Sequence, residues 1–130
     1  MVGSARSGPT RANRVRKRAE YLDVQSGGVR VNGDCLVFVL KRRPAGAPLR
    51  LGITASRKVG NAVQRSRARR LIREGFRAVF GELPGALDIV VIVRRPLGDR
   101  KMGAVLEEWR RALPRILRSA SLSGSASPRA

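Results

Sequence analysis

The sequence predicts an α+β fold, a two-layer sandwich with element order α-β-β-β-α-β-α in one domain. Two apolar runs, residues 35–42 and 88–93, have the composition of strands, and the second is apolar on both faces, as a central strand is. Two longer segments, 61–80 and 102–118, instead space their apolar residues at helical intervals. A chain of 130 residues has room for one modest core, and no stretch between 14 and 118 reads as a linker.

The elements follow in order. Residues 1–13 hold Arg, Ser and Gly without an acid and are expected to form a disordered basic arm. They lack an apolar core of the kind a secretory signal needs, and Gly8 and Pro9 disfavour the amphipathic helix of a transit peptide. A first helix is expected over 17–25, stopped by Gly27-Gly28, with Tyr21, Leu22 and Val24 as its apolar residues. Residues 29–31 form a short strand turned by Asn32-Gly33, a two-residue hairpin signal. After the strand 35–42, a Pro- and Gly-bearing loop spans 43–48. In 49–55, Leu49, Leu51, Ile53 and Ala55 alternate with Arg50, Gly52 and Thr54, the pattern of a half-buried strand. The last helix sets Val105, Leu106, Trp109, Ala112, Leu113, Ile116 and Leu117 on one stripe. Pro114 lies inside it and is expected to kink or shorten it. Trp109 has two readings, core packing or stacking on a base. The Ser-rich residues 119–130 are expected to be a disordered tail.

Charge narrows the function. Lys and Arg number 28 against 9 Asp and Glu, a formal net charge of +19, and 24 of the bases are Arg. A compact fold with that charge repels itself until a polyanion neutralises it. Nucleic acid is the first candidate and an anionic membrane surface the second. No apolar run reaches the roughly 20 residues that span a bilayer. The 42% hydrophobic content is too high for a wholly disordered basic tail. Without His there is no imidazole base or His-containing triad. The single Cys35 permits neither an internal disulfide nor a Cys/His zinc site, and it reads as a core residue in a reducing cytoplasm. The only adjacent carboxylates, Glu107 and Glu108, point in different directions on a helix. No phosphate-cradling glycine motif occurs. If the chain belongs to an enzyme, it is expected not to supply the catalytic groups.

The segment 57–77 is the most informative. At about 100° per residue from Arg65, the apolar Ala68, Leu71, Ile72, Phe76 and Val79 fall within an arc from roughly 240° to 380°. Arg69, Arg73, Arg77 and Arg70 fall between roughly 40° and 140°, with Arg65 and Arg67 flanking them. A solvated charged face usually mixes signs. Here Glu74 is the only acid among the arginines, so an anion-binding face is the better reading. The planar guanidinium suits phosphate, and Arg57-Lys58 adds charge where the helix begins.

The run from Arg50 to Arg77, Arg-Leu-Gly-Ile-Thr-Ala-Ser-Arg-Lys-Val-Gly-Asn-Ala-Val-Gln-Arg-Ser-Arg-Ala-Arg-Arg-Leu-Ile-Arg-Glu-Gly-Phe-Arg, closely resembles the signature of the bacterial ribonuclease P protein subunit. The likeness extends more loosely from Asn13 to Leu117, including Glu20-Tyr21 and the run from Asp88 to Arg94. It implies a sandwich like the second domain of ribosomal protein S5, with a left-handed crossover through the arginine helix. It implies a cytoplasmic protein that joins a catalytic RNA. That RNA, with magnesium, removes the 5′ leader of precursor tRNA. The protein itself would bind no cofactor and need no protein or membrane partner. The resemblance assigns contact with the catalytic RNA to Arg65, Ser66, Arg67, Arg69, Arg70 and Arg73. It assigns the leader cleft to Tyr21, Gln25, Val37, Val39, Thr54, Arg57, Lys58 and Asn61. Ser66 stands where the family has Asn, and Gln25 where it usually has a second aromatic. A structural ribosomal protein is the alternative reading. A DNA-binding protein is third, since no helix-turn-helix partner precedes the arginine helix.

Overall fold

The computed structural model describes residues 9–126; the ends of the expected arm and tail, 1–8 and 127–130, lie outside the described residues. Helix α1 (Arg18–Gly27) leads into strands β1 (Val29–Asn32), β2 (Leu36–Arg42) and β3 (Arg50–Thr54). Helix α2 (Ala62–Val79), strand β4 (Leu87–Val93) and helix α3 (Met102–Ala126) complete the chain, with 3-10 turns at Arg11–Asn13, Arg57–Val59 and Phe80–Glu82. The order of elements is the one expected. The sheet runs β1-β2-β4-β3, antiparallel except for β3 and β4, which are parallel and joined through α2. The run 88–93 is indeed central, since β4 pairs with both β2 and β3.

Alternation along the strands decides the layers. Leu36, Phe38 and Leu40 of β2 and Ile89, Val91 and Val93 of β4 share one core with the apolar stripes of α2 and α3. Val37, Val39 and Val90 point the other way and pack with Val24 of α1. Both faces of β2 and β4 are apolar, so both need cover, and α1 supplies it on the second face. Trp109 is fully buried, edge-on to Phe38 at 4.9 Å, and its Nε1 donates to the Ile72 carbonyl at 3.2 Å. Of its two readings, core packing is the one observed.

Four local expectations are corrected. The hairpin is not the two-residue turn that Asn32-Gly33 signals. Asn32 pairs with Val37, the Gly33 amide donates to the Leu36 carbonyl at 2.8 Å, and neither turn residue has positive φ. The wider loop is held by a side chain from far along the chain. The buried Glu108 carboxylate accepts the amides of Asp34, Cys35 and Leu36 at 3.0, 2.9 and 3.2 Å. The expected arm contains a capped turn: Thr10 caps Arg11–Asn13, and Asn13 Nδ2 donates to the Leu49 carbonyl at 2.6 Å. Helix α3 neither stops at 118 nor breaks at Pro114, which sits on its exposed side. One lost hydrogen bond is outweighed by the buried stripe of Trp109, Ala112, Leu113 and Ile116 around it. No helix among the described residues is long and apolar enough to cross a membrane.

Candidate nucleic-acid interface

Helix α2 begins where the chain forces it to. Gly60 has φ +140°, a conformation open to glycine, and a Cβ there would collide with the Gln64 side chain. Asn61 is then the N-cap: its Oδ1 accepts from the Gln64 amide at 2.9 Å, and Gln64 Oε1 accepts from the Asn61 amide at 2.8 Å. The asparagine assigned to the leader cleft thus has a local role that accounts for its oxygen. Arg57 and Lys58 lie on the exposed 3-10 turn just before this cap.

The buried face of α2 is Ala68, Leu71, Ile72, Gly75, Phe76 and Val79, the five residues expected plus a glycine that admits the Trp109 indole. Arg70, Arg73, Arg77 and Ser66 are exposed, and Arg65 and Arg69 are half-buried. Arg65 Nη1 donates to the Gly60 carbonyl at 3.1 Å. Arg67 does not belong to this strip. It turns to the loop before α3, where Nη1 donates to the Gly98 carbonyl at 3.2 Å and Nη2 to that of Arg100. At roughly 200° from Arg65 it lies on the opposite shoulder of the helix.

Eight ion pairs occur among the described residues, and none involves a base of α2. Glu74, the helix's own acid, makes none. Six other acids form their ion pairs elsewhere, most tightly beneath α1. Arg50 of β3 grips Asp88 with Nε and Nη2, both at 2.8 Å, and reaches Glu20 with Nη1 at 2.9 Å. Arg43 adds a longer contact to Asp88 at 3.5 Å. The other oxygen of Glu20 accepts the amides of Arg16 and Lys17 at 3.0 and 3.1 Å. The Lys17 amide, then that of Arg16, then the Arg50 side chain lower the Glu20 carboxyl from 4.5 to about 2. This network fixes the start of α1 over the sheet.

That anchoring sets the second surface. Tyr21 lies across Gly52 of β3, where a Cβ would stand 2.6 Å from the ring. One turn on, Gln25 Nε2 reaches Thr54 Oγ1 at 3.5 Å. Tyr21, Gln25 and Thr54 are half-buried, and so is Ile92 of β4, which sequence reasoning did not single out. Its signal was its position two residues from Val90 on the same face. Val37 and Val39 are corrected: they are 3% and 0% exposed, covered by Val24, and not surfaces a ligand meets. Alternation gave their face but not the cover above it.

The one gathering of possible metal ligands among the described residues is Asp34, Cys35 and Glu108. Both Glu108 oxygens already accept amides, and burial pushes the Cys35 thiol up, so this donor set fits a backbone cap. It does not fit a magnesium site, which wants carboxylates and water.

An unneutralised arginine helix beside a half-open sheet face defines an α+β protein built to hold a polyanion. Comparison with known proteins gives the particular case. A family model described as Ribonuclease P matches residues 10–117. The ribonuclease P protein component of Gluconacetobacter diazotrophicus is 42% identical over 104 residues, covering 79% of this chain and 90% of that one. The solved ribonuclease P protein of Staphylococcus aureus shares 30% identity with a TM-score of 0.71, covering 84% of this chain and 98% of that one. The Thermotoga maritima protein shares 32% identity at a TM-score of 0.71, covering 79% and 96%. The chain belongs to the ribonuclease P protein family, the protein component of a tRNA-processing ribonuclease that works in partnership with ribonuclease P RNA.

Proposed function

We propose that this chain contacts the catalytic RNA through the open strip of α2 and holds the 5′ leader of precursor tRNA on the face between α1 and the sheet. The observation that carries the reading is the absence of any ion pair to the bases of α2 among the described residues, in a chain whose other bases make eight. Arg65, Ser66, Arg69, Arg70 and Arg73 are the residues on that strip. Arg67 is left out because its guanidinium is engaged with the 98–100 loop. On the leader face, Tyr21 offers a ring for stacking, Gln25 and Thr54 offer polar groups, and Arg57 and Lys58 offer charge at the rim. Ser66 offers a hydroxyl where an asparagine would offer a two-ended amide. Hydrolysis, with its magnesium, belongs to the RNA in this reading, and the protein's part is binding and orientation in the cytoplasm.

Two titrations of the reconstituted particle test it. Arg70→Ala is expected to weaken assembly with the RNA and to lower the salt slope by roughly 0.7–0.9. In the assembled particle, Tyr21→Ala is expected to weaken precursor tRNA by roughly 1–3 kcal/mol, with mature tRNA unaffected. Equal losses for precursor and mature tRNA would refute the leader face. RNA recovered with the protein from cells that proves to be ribosomal would favour the structural alternative.

A further inference from the structure

A cleft of about 300 Å³ opens where the segment 9–15 runs along the free edge of β3. The Val15 amide donates to the Leu51 carbonyl at 2.9 Å, so this segment is fixed as a partial fifth strand. Beyond it, α2 forms the opposite wall. The floor is apolar, made by Leu51, Ile53 and Phe76, and the Tyr21 ring closes one side. Arg14, Arg69, Arg73 and Arg77 ring the opening, and no carboxylate lines it.

This combination restricts what can enter. The volume is at the lower end of the range of roughly 300–1,000 Å³ for small-ligand sites, which is too small for a helix or a duplex. Four guanidinium groups without an acid demand an anion. The eight residues before the cleft carry Arg6 and no acid, and a second copy carries +19, so both are repelled. The occupant must present a flat apolar body to Tyr21 and the floor, and negative charge to the rim. An unpaired nucleotide has that shape, with a base to stack and flanking phosphates for the arginines.

We propose that this cleft receives a single unpaired nucleotide of the catalytic RNA, base inward. The inference rests on the reading that α2 faces that RNA, since three of the four rim arginines belong to α2. The site also joins what sequence had kept apart: Tyr21, assigned to the leader, and Arg69 and Arg73, assigned to the catalytic RNA, border the same space.

Ile53 provides the test because it lines the cleft and carries no charge. Ile53→Trp fills the space and leaves every arginine in place. Assembly with catalytic RNA transcribed in vitro, followed by gel shift over a salt series, should weaken about tenfold at each salt, one base stack lost, with an unchanged slope. Unchanged affinity in a variant that melts like the parent overturns the proposal. Ultraviolet crosslinking of the unaltered particle, read by mass spectrometry, does not depend on the variant folding. Crosslinks from residues 51–53 or Tyr21 to one unpaired position of the RNA, without tRNA present, support the proposal. Crosslinks that need precursor tRNA and map to its leader overturn it, as does their absence from a particle that assembles. Failure of the unaltered protein to assemble at all is a different result and removes the reading beneath it.

Discussion

Replacing Glu20 with Gln probes the joint on which the leader face depends. The amide oxygen of Gln still caps the Arg16 and Lys17 amides, but its NH2 group meets the Arg50 Nη1 donor that the carboxylate accepts at 2.9 Å. A carboxyl held at about 2 and released to 4.5 on unfolding corresponds to about 3 kcal/mol in a shielded setting. The Glu20 side chain is 29% exposed, and screening by water reduces the expected loss to about 1 kcal/mol. For a domain of this size that lowers Tm by about 4 °C at neutral pH. The pH dependence has a definite sign. The folded-state value is depressed, so the stabilisation is complete above pH 4.5 and fades as pH falls toward 2. Melting curves of parent and Glu20→Gln at constant salt, from pH 7 down to 2.5, should therefore converge below pH 4.5. A deficit that persists undiminished at pH 2.5, or no deficit at pH 7, refutes the electrostatic account.

Gly75→Ala drives a methyl into the Trp109 indole, with Nε1 only 2.7 Å from the added carbon, and should destabilise by about 1–3 kcal/mol with a shift in Trp fluorescence. Glu108→Ala strips the acceptor from three amides at once; a loss of about 3 kcal/mol is expected, with faster hydrogen exchange confined first to residues 34–36. Arg67→Ala frees the loop at Gly98 and Arg100. It should lower stability by about 1 kcal/mol while leaving the salt slope of RNA assembly unchanged, the opposite of Arg70→Ala.

The fold was legible where one local rule decided the outcome. Periodicity identified both long helices, and the two-faced apolar run of β4 identified the central strand, because burial on both faces is the only condition that tolerates such a run. The hairpin was not legible. Asn32-Gly33 favours a tight turn, but Glu108, more than 70 residues away, offers three amides a carboxylate and wins. Nothing near residue 33 encodes that partner. Proline logic failed at Pro114 for a related reason, since local cost is weighed against a tertiary stripe that the local rule does not contain.

The same division runs through the interface. Helical arithmetic gives an angle about the axis, and by angle Arg67 is a neighbour of the strip. It does not give what stands within reach, and the carbonyls of Gly98 and Arg100 stand within reach of Arg67 alone. Composition gave a net +19 but not where the imbalance would lie. Among the described residues, six of the nine carboxylates form ion pairs with bases off α2, and Glu108 is taken up by amides. The fold thus gathers its negative charge into the joints that hold α1, the hairpin and α3. Of the bases left over, six lie together on α2, with Glu74 the only acid among them. Each internal pair therefore serves the interface indirectly: moving a single acid from a joint to the outer face of α2 would cost the fold a contact and the polyanion a site together.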